Sequence, residues 1–406
     1  MTVTIVQPRH MAGFACLGPD CPDTCCKDWA VDVDPPTARL WRRHPDPVWR
    51  ARFEAGLRRV RDGKGGARAL VAMRPDGSCP FHGEDRLCTI QKELGASAMP
   101  WICRVFPRGE EREGDLLART GSLACVAVAR AAIGEADALD ETVEGSIGPT
   151  LLGFGAPDAG ERFALRERLA VRRTVFAILR RSGWSWPARL VLFALFVEEL
   201  GRLELHRDRA SLLALLDRFA AVLRLAEPEG VADALAPARA RAPLLLVPVL
   251  RALLEATRVP VPGKVAWGAF VAAALDRLGI REAAPEEAAE RLLALASERL
   301  EPLVAAMPHL FPNLAAALAH QLRFPGERPN DVLDRFAALV VAFATWRLLF
   351  VARLAAGVAD PREAAAEVAW RLGRHLLHSR ALVERGIEGL ARAGARAPAA
   401  LVALAV

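Results

Sequence analysis

Eight cysteines carry the chemistry that can be read from this chain, and all of them fall between residues 16 and 125. Four lie in one run, Cys16-Leu-Gly-Pro-Asp-Cys21-Pro-Asp-Thr-Cys25-Cys26. Cys79, Cys88, Cys103 and Cys125 follow at widening intervals, and the remaining 281 residues contain none. Thiolates this crowded repel one another and oxidise readily, so such a run is held by a metal or pinned in disulfides. The N-terminus has no basic segment leading into a long apolar stretch, so no secretory signal is read and a reducing, cytoplasmic setting is expected. There, clustered cysteines bind metal or act in catalysis, and the adjacent Cys25 and Cys26 fit a regular disulfide framework poorly.

Soft thiolate ligands suit zinc or an iron–sulfur cluster. Structural zinc commonly takes Cys-x2-Cys knuckles, and this chain has no such pair. Iron–sulfur ligands come with irregular spacing and a distant member. The spacing therefore points to an iron–sulfur cluster, of the four-iron type, with zinc as the alternative metal. Eight thiols are enough for one cluster and a second metal site, or for two clusters.

Other reactive side chains carry a bland reading beside the sharp one. Glu84 and Asp85, before Cys88, are placed to take a proton from an amine, or to shape an exposed turn. Asp20 and Asp23 in the first run have the same two readings, with turn roles favoured. Trp29 and Trp101 flank the cysteines and would shield a cluster or simply pack. Arg104 and Arg108 beside Cys103 are placed to donate to cluster sulfurs, to a cofactor carboxylate or to structural ion pairs. His375 and His378 share one helical face, yet no third ligand lies near them in sequence. The radical S-adenosylmethionine motif Cys-x3-Cys-x2-Cys is absent, and Gly153-Phe-Gly155 is too short for a dinucleotide loop. With no tyrosine in the chain, a tyrosine base or radical is excluded.

The elements that must position these residues divide the chain in two. Residues 1–130 read as an irregular domain rich in cysteine, proline and glycine, with helices over 36–60 and 90–94. Residues 131–160, punctuated by six glycines, read as a linker. Residues 161–406 read as an α-helical domain. Leu165, Leu169, Phe176 and Leu179 recur at helical spacing, and Pro285-Glu286-Glu287 opens a helix. Asn330 is expected to cap a run from Asp331 to about Ala356, and Asp360-Pro361-Arg362-Glu363 has the form of a capping box. The stretch 337–357 is long enough to span a bilayer, but Arg347 and Arg353 would each cost about 2.5–3.5 kcal/mol at its centre. A buried core helix, with no membrane partner, is the expectation.

The chain has 52% hydrophobic and 25% charged residues and a formal charge of +6. Only four of its 54 basic residues are lysine. The arginines alternate with acids along helical faces, which marks solvated surface rather than a nucleic-acid interface.

The text Phe14-Ala-Cys16, Cys21-Pro-Asp-Thr-Cys25-Cys26-Lys-Asp-Trp29, Cys79-Pro-Phe, Leu87-Cys88-Thr-Ile-Gln91 and Cys103-Arg-Val-Phe-Pro107-Arg108 resembles the flagellin lysine N-methylase family. The Cys-x3-Cys-Cys core is shared with small zinc- or iron-chelating proteins. The remainder matches more loosely, around Pro312-Asn313-Leu314 and the helix after Asp331. The resemblance implies a mainly α, cytoplasmic enzyme that moves methyl groups from S-adenosylmethionine to lysine ε-amines of flagellin, with a four-iron cluster. Its ligands would be Cys21, Cys25, Cys26, Cys79, Cys88 and Cys103, joined by Cys16 and Cys125. The family tends to show Pro-Glu after the last cysteine, where this chain has Val126-Ala127. A rival reading keeps the metal and drops the methyl transfer. The catalytic base, the cofactor contacts and the oligomeric state stay open.

Overall fold

The computed structural model describes residues 3–28, 30–61, 67–145, 162–205, 209–231, 233–237, 264–377 and 398–405, with positions 244, 247, 384 and 387–389. Helices dominate, as expected. The N-terminal region departs from the irregular chain expected: it contains two small sheets. In one, the order is β5 (Arg108–Glu113), β6 (Leu116–Gly121), β1 (Thr4–Pro8), β7 (Glu141–Gly145). Strand β1 runs parallel to β6 and antiparallel to β7. The other sheet orders β2 (Asp32–Val33), β4 (Ala67–Val71), β3 (Leu57–Arg61), all antiparallel. These pairings join residues over 50 positions apart in several cases, so no local sequence period announces them.

The helix expected over 36–60 is two helices and a strand. Asp34 accepts the Thr37 amide at 3.0 Å and starts Pro35–Arg42. Asp46 accepts the Val48 amide at 2.7 Å and starts Pro47–Ala55. Each Asp precedes a proline, which disfavours helical backbone before it and suits the first turn after it. Gly56 then ends the second helix where a Cβ would lie 2.5 Å from the Phe81 ring, and β3 follows. The helix expected at 90–94 spans Thr89–Leu94.

Part of the stretch read as a linker is structured. Residues 131–134 end the helix Val126–Gly134, and 141–145 form β7. Residues 146–161, with Gly153 and Gly155, lie outside the described residues.

The helical body forms as the periodicity predicts. Leu165–Leu179 buries Leu165, Leu169 and Leu179, and Pro285–Leu295 opens on its proline and two glutamates. Asp360 caps Pro361–Leu372, accepting the Arg362 amide at 2.8 Å. Asn330 does not cap Val332–Ala355: the residue at the cap position is Asp331, which makes no side-chain bond to that helix and instead accepts the upstream amides of Glu327 and Arg328, both at 3.0 Å. That long helix meets the length and composition of a membrane span, yet 83% of its apolar window is buried inside the protein. Phe336, Phe343, Trp346 and Phe350 are fully buried in it, and Arg353 pairs with Glu367 at 2.8 Å. It is the central core helix of the body.

The main core does not stop at the helical body. Leu123, Val126, Ala129 and Ile133 belong to it, and the helix Val126–Gly134 packs along Pro361–Leu372. A second, small core gathers Trp41, Trp49, Phe53, Phe81 and Ile90 under the sheet β2–β4–β3. Trp41 stacks on Phe53 at 4.6 Å, and its indole donates to the Ala98 carbonyl at 2.8 Å.

Candidate metal centre

The cysteines arrive from four stretches of backbone. Cys16 and Cys21 bracket the turn at Gly18–Asp20, where the Gly18 amide donates to the Cys16 sulfur at 3.4 Å. Cys25 and Cys26 follow in a turn sutured to the next segment: the Cys79 amide donates to the Cys26 carbonyl at 2.8 Å, and Lys27 bridges Ser78. Cys88 bridges back to His82 and stands before the helix Thr89–Leu94. Cys103 sits inside the short helix Trp101–Val105, and Cys125 precedes Val126–Gly134. All eight are free thiols; Cys16 and Cys25 are exposed and the other six are half-buried.

The charge of Cys25 reaches thiols of all four stretches. The Cys25 thiol shares a hydrogen bond with Cys26, and that bond together with burial of its sulfur raises its pKa far above the ordinary thiol range. Charge on Cys25 is felt by Cys21, Cys79, Cys88, Cys103 and Cys125, and charge on Cys16 by Cys21 and Cys125. Burial pushes Cys79 and Cys125 up to about 11 and Cys103 to about 12. Backbone amides oppose the rise: Phe81 at Cys79, Ile90 and Gln91 at Cys88, Ala127 and Val128 at Cys125. Amides aimed at sulfur stabilise thiolate, the form that binds metal.

Among the described residues, no three His, Cys, Asp or Glu side chains form a group that could hold a single metal ion. Among the described residues, buried polar atoms without a hydrogen-bond partner include Asp28 Oδ1, His82 Nε2 and Arg104 Nε, each within three positions of a cysteine in the chain. Asp28 also holds a left-handed backbone at φ 67°, and burial raises its carboxyl against the pull of Lys27 and Arg374. Unpartnered buried polar atoms are costly.

Residues singled out in the sequence meet different fates. Arg104 follows Cys103 in the helix Trp101–Val105, and its Nε is buried without a hydrogen-bond partner. Arg108 lies 5.1 Å from the Phe14 ring centre, packed rather than free. Asp85 is held in an ion pair with Lys92 and accepts the Leu87 amide at 3.2 Å, a turn role, while Glu84 is exposed beside it. Asp23 pairs with Arg374. Asp20 is exposed. Trp101 is partly exposed, at 37%; Trp29 and His378 lie outside the described residues. His375 stacks on Trp267 at 5.2 Å, so its ring is used in packing.

Asp28, His82 and Arg374 went unnoticed in the sequence. His82 follows Cys79 by three positions, a spacing that is visible there. Arg374 has no such signal, since it lies 348 residues beyond Cys26. A separate cavity between β1, β6 and Leu165–Leu179 is lined by Gln7, Arg119, Arg172 and His320, and contains none of the expected site residues.

Residues 172–404 match the model of the FliB lysine N-methylase C-terminal domain, more than half of the chain. The chain belongs to the FliB lysine N-methylase family. It is 29% identical over 137 residues to the flagellar biosynthetic protein FliU of Salmonella muenchen, covering 34% of this chain and 81% of that protein. It has the same identity over 137 residues to the lysine-N-methylases of Salmonella typhimurium and Salmonella choleraesuis. The match spans 34% of this chain and about a third of the length of each of those two enzymes. No solved structure matches. The matched domain is the helical body; every cysteine precedes it. Asn313, within the resemblance seen in the sequence, is fully buried and donates to the Glu135 carbonyl at 2.7 Å, so it ties the body to the cysteine-bearing region.

Proposed function

We propose that this chain is a cytoplasmic, S-adenosylmethionine-dependent methyltransferase acting on lysine ε-amines of flagellin, with a four-iron cluster held by its cysteines. The observation that carries the enzyme reading is the family match over the whole helical body. The flagellar context comes from the relatives' names, one a flagellar biosynthetic protein and two lysine-N-methylases.

The cluster reading is supported by the donor set. The charge of Cys25 is felt by thiols of all four segments, and backbone amides favour the thiolates of Cys79, Cys88 and Cys125. Among the described residues no group of three such side chains is placed to hold a single metal ion, so the cluster reading rests on the number and softness of the thiol donors. Bound there, a cluster would supply an electron-transfer or Lewis-acid centre and would knit the four segments together. Cys21, Cys25, Cys26, Cys79, Cys88 and Cys103 are the first candidates to hold it, with Cys16 and Cys125 at its edge.

Methyl transfer needs the lysine nitrogen neutral. Its lone pair forms the N–C bond as the C–S bond breaks, and that bond's electrons remain on sulfur to leave a thioether. The test is direct. Protein purified without oxygen is incubated with S-adenosylmethionine and unmodified flagellin, and flagellin lysines are examined by mass spectrometry. Methylated lysines are expected. A metal-replete preparation that adds none would leave a metal-binding or redox protein as the reading, and a colourless, zinc-loaded preparation would overturn the cluster.

A further inference from the structure

The cysteines sit on two foundations, and one side chain of the helical body reaches the loop between them. Arg374 lies in the π-type turn Gly373–Leu377 that follows Pro361–Leu372, and it is 5% exposed. One nitrogen of its guanidinium pairs with the Asp23 carboxylate and donates to the Thr24 carbonyl at 3.3 Å. The other donates to the Asp23 carbonyl at 3.0 Å and the Ala124 carbonyl at 3.5 Å. Asp23 and Thr24 lie between Cys21 and Cys25; Ala124 directly precedes Cys125.

The backbone approach beside it is close. A Cβ on Gly373 would fall 2.6 Å from the Ala124 nitrogen and 2.8 Å from the Leu123 carbonyl carbon. Only a glycine lets the turn come this near. The Leu123 amide is held in turn by the Gln321 side chain at 2.9 Å.

We propose that Arg374 is a positioning residue for the cysteine site: it fixes the Cys21–Cys25 loop against the Cys125 segment, so that the family's helical domain assembles a centre whose ligands all lie outside that domain. The placing of the loop stands on these contacts alone; its consequence for metal rests on the reading of the cysteines as a metal centre. Four acceptors on two segments need a planar fork with several fixed donors, which lysine cannot imitate. An arginine buried among them holds both segments at one separation.

The experiment compares the full chain with Arg374→Met and Arg374→Lys. Amide hydrogen exchange on metal-free protein reads the loop without any metal. Exchange is expected to rise about tenfold or more in residues 20–26 and 122–126 of Arg374→Met, while residues 77–103 keep wild-type protection. Arg374→Lys falls between the two, and decides the matter if Arg374→Met fails to melt cooperatively. Wild-type exchange in residues 20–26 of both variants, or an equal rise everywhere in Arg374→Lys, overturns the proposal. A second arm reconstitutes each protein with ferrous iron and sulfide and competes it with a chelator. Loss of a supporting contact around a metal ligand is expected to weaken retention about 10–100-fold. Retention equal to wild type in a variant whose loop has loosened also overturns it. A wild-type chain that takes up no metal would instead sink the metal reading, with the exchange result still deciding the role of Arg374 in placing the loop.

Discussion

The two ends of the cysteine site are built by different means. Cys79, Cys88 and Cys103 pack on the small aromatic core of Trp41, Trp49, Phe53 and Phe81, a unit formed within residues 31–103. Cys21 packs on the main helical core, and Cys125 stands beside Leu123 and Val126 of that core. The first half is thus positioned by local packing and short connections. The second depends on residues hundreds of positions away, Gln321 and Arg374 among them. The charge of Cys25 is felt by thiols of both halves. The lesson is that the cysteines are held by both cores, although all of them sit within 110 consecutive residues.

The comparison breaks first at Cys25. Cys25→Ala is expected to abolish metal binding, read as iron per chain after anaerobic purification. Full retention would remove Cys25 from the ligand set.

Next comes a blow to one half alone. Phe53→Ala empties the centre of the small aromatic core and should cost about 3–5 kcal/mol in that unit. Thiol alkylation of the metal-free protein should then speed at Cys79, Cys88 and Cys103 well before Cys125. Uniform reactivity across all eight would mean that the two halves share one foundation.

The smallest effect tests the sheet that carries the second half. Glu111 lies between Arg168 and Arg172, at 3.8 and 3.2 Å. Burial would raise its carboxyl, but the two arginines outweigh that and hold it below the ordinary 4.5. A depressed carboxylate adds stability that is present above about pH 4.5 and lost as pH falls through its folded value. The melting temperature of the metal-free chain should drop on acidification below that point. Glu111→Gln should be less stable at neutral pH and show a flatter acid profile. An unchanged profile would clear Glu111 of this role.

Much of the helical body was legible because its signals are local. Asp360 before Pro361 and the acids after Pro285 each announce a helix start within four residues. The same kind of signal stood at Asp34 and Asp46, and reading past it merged two helices and a strand into one. Strand β3, Leu-Arg-Arg-Val-Arg, is polar on its exposed positions and carries no alternation strong enough to override a helical reading. The pairing of β1 with β6 and β7 brings together residues over 100 apart, which no window of sequence contains.

Sequence by itself determined the donor chemistry. Residue type decides that thiols are soft ligands, and their number, order and neighbours are written in the chain. It also determined that the described residues beyond 164 would fold chiefly as helices, since periodicity and capping act over a single turn. Which thiols face one another was decided only by tertiary structure. So was the part played by Asp28, His82 and Arg374, because a side chain's partners depend on what folding brings within a few ångströms. A cysteine 53 residues from its neighbour in the chain, as Cys79 is from Cys26, meets its backbone only when the intervening chain has packed its own core.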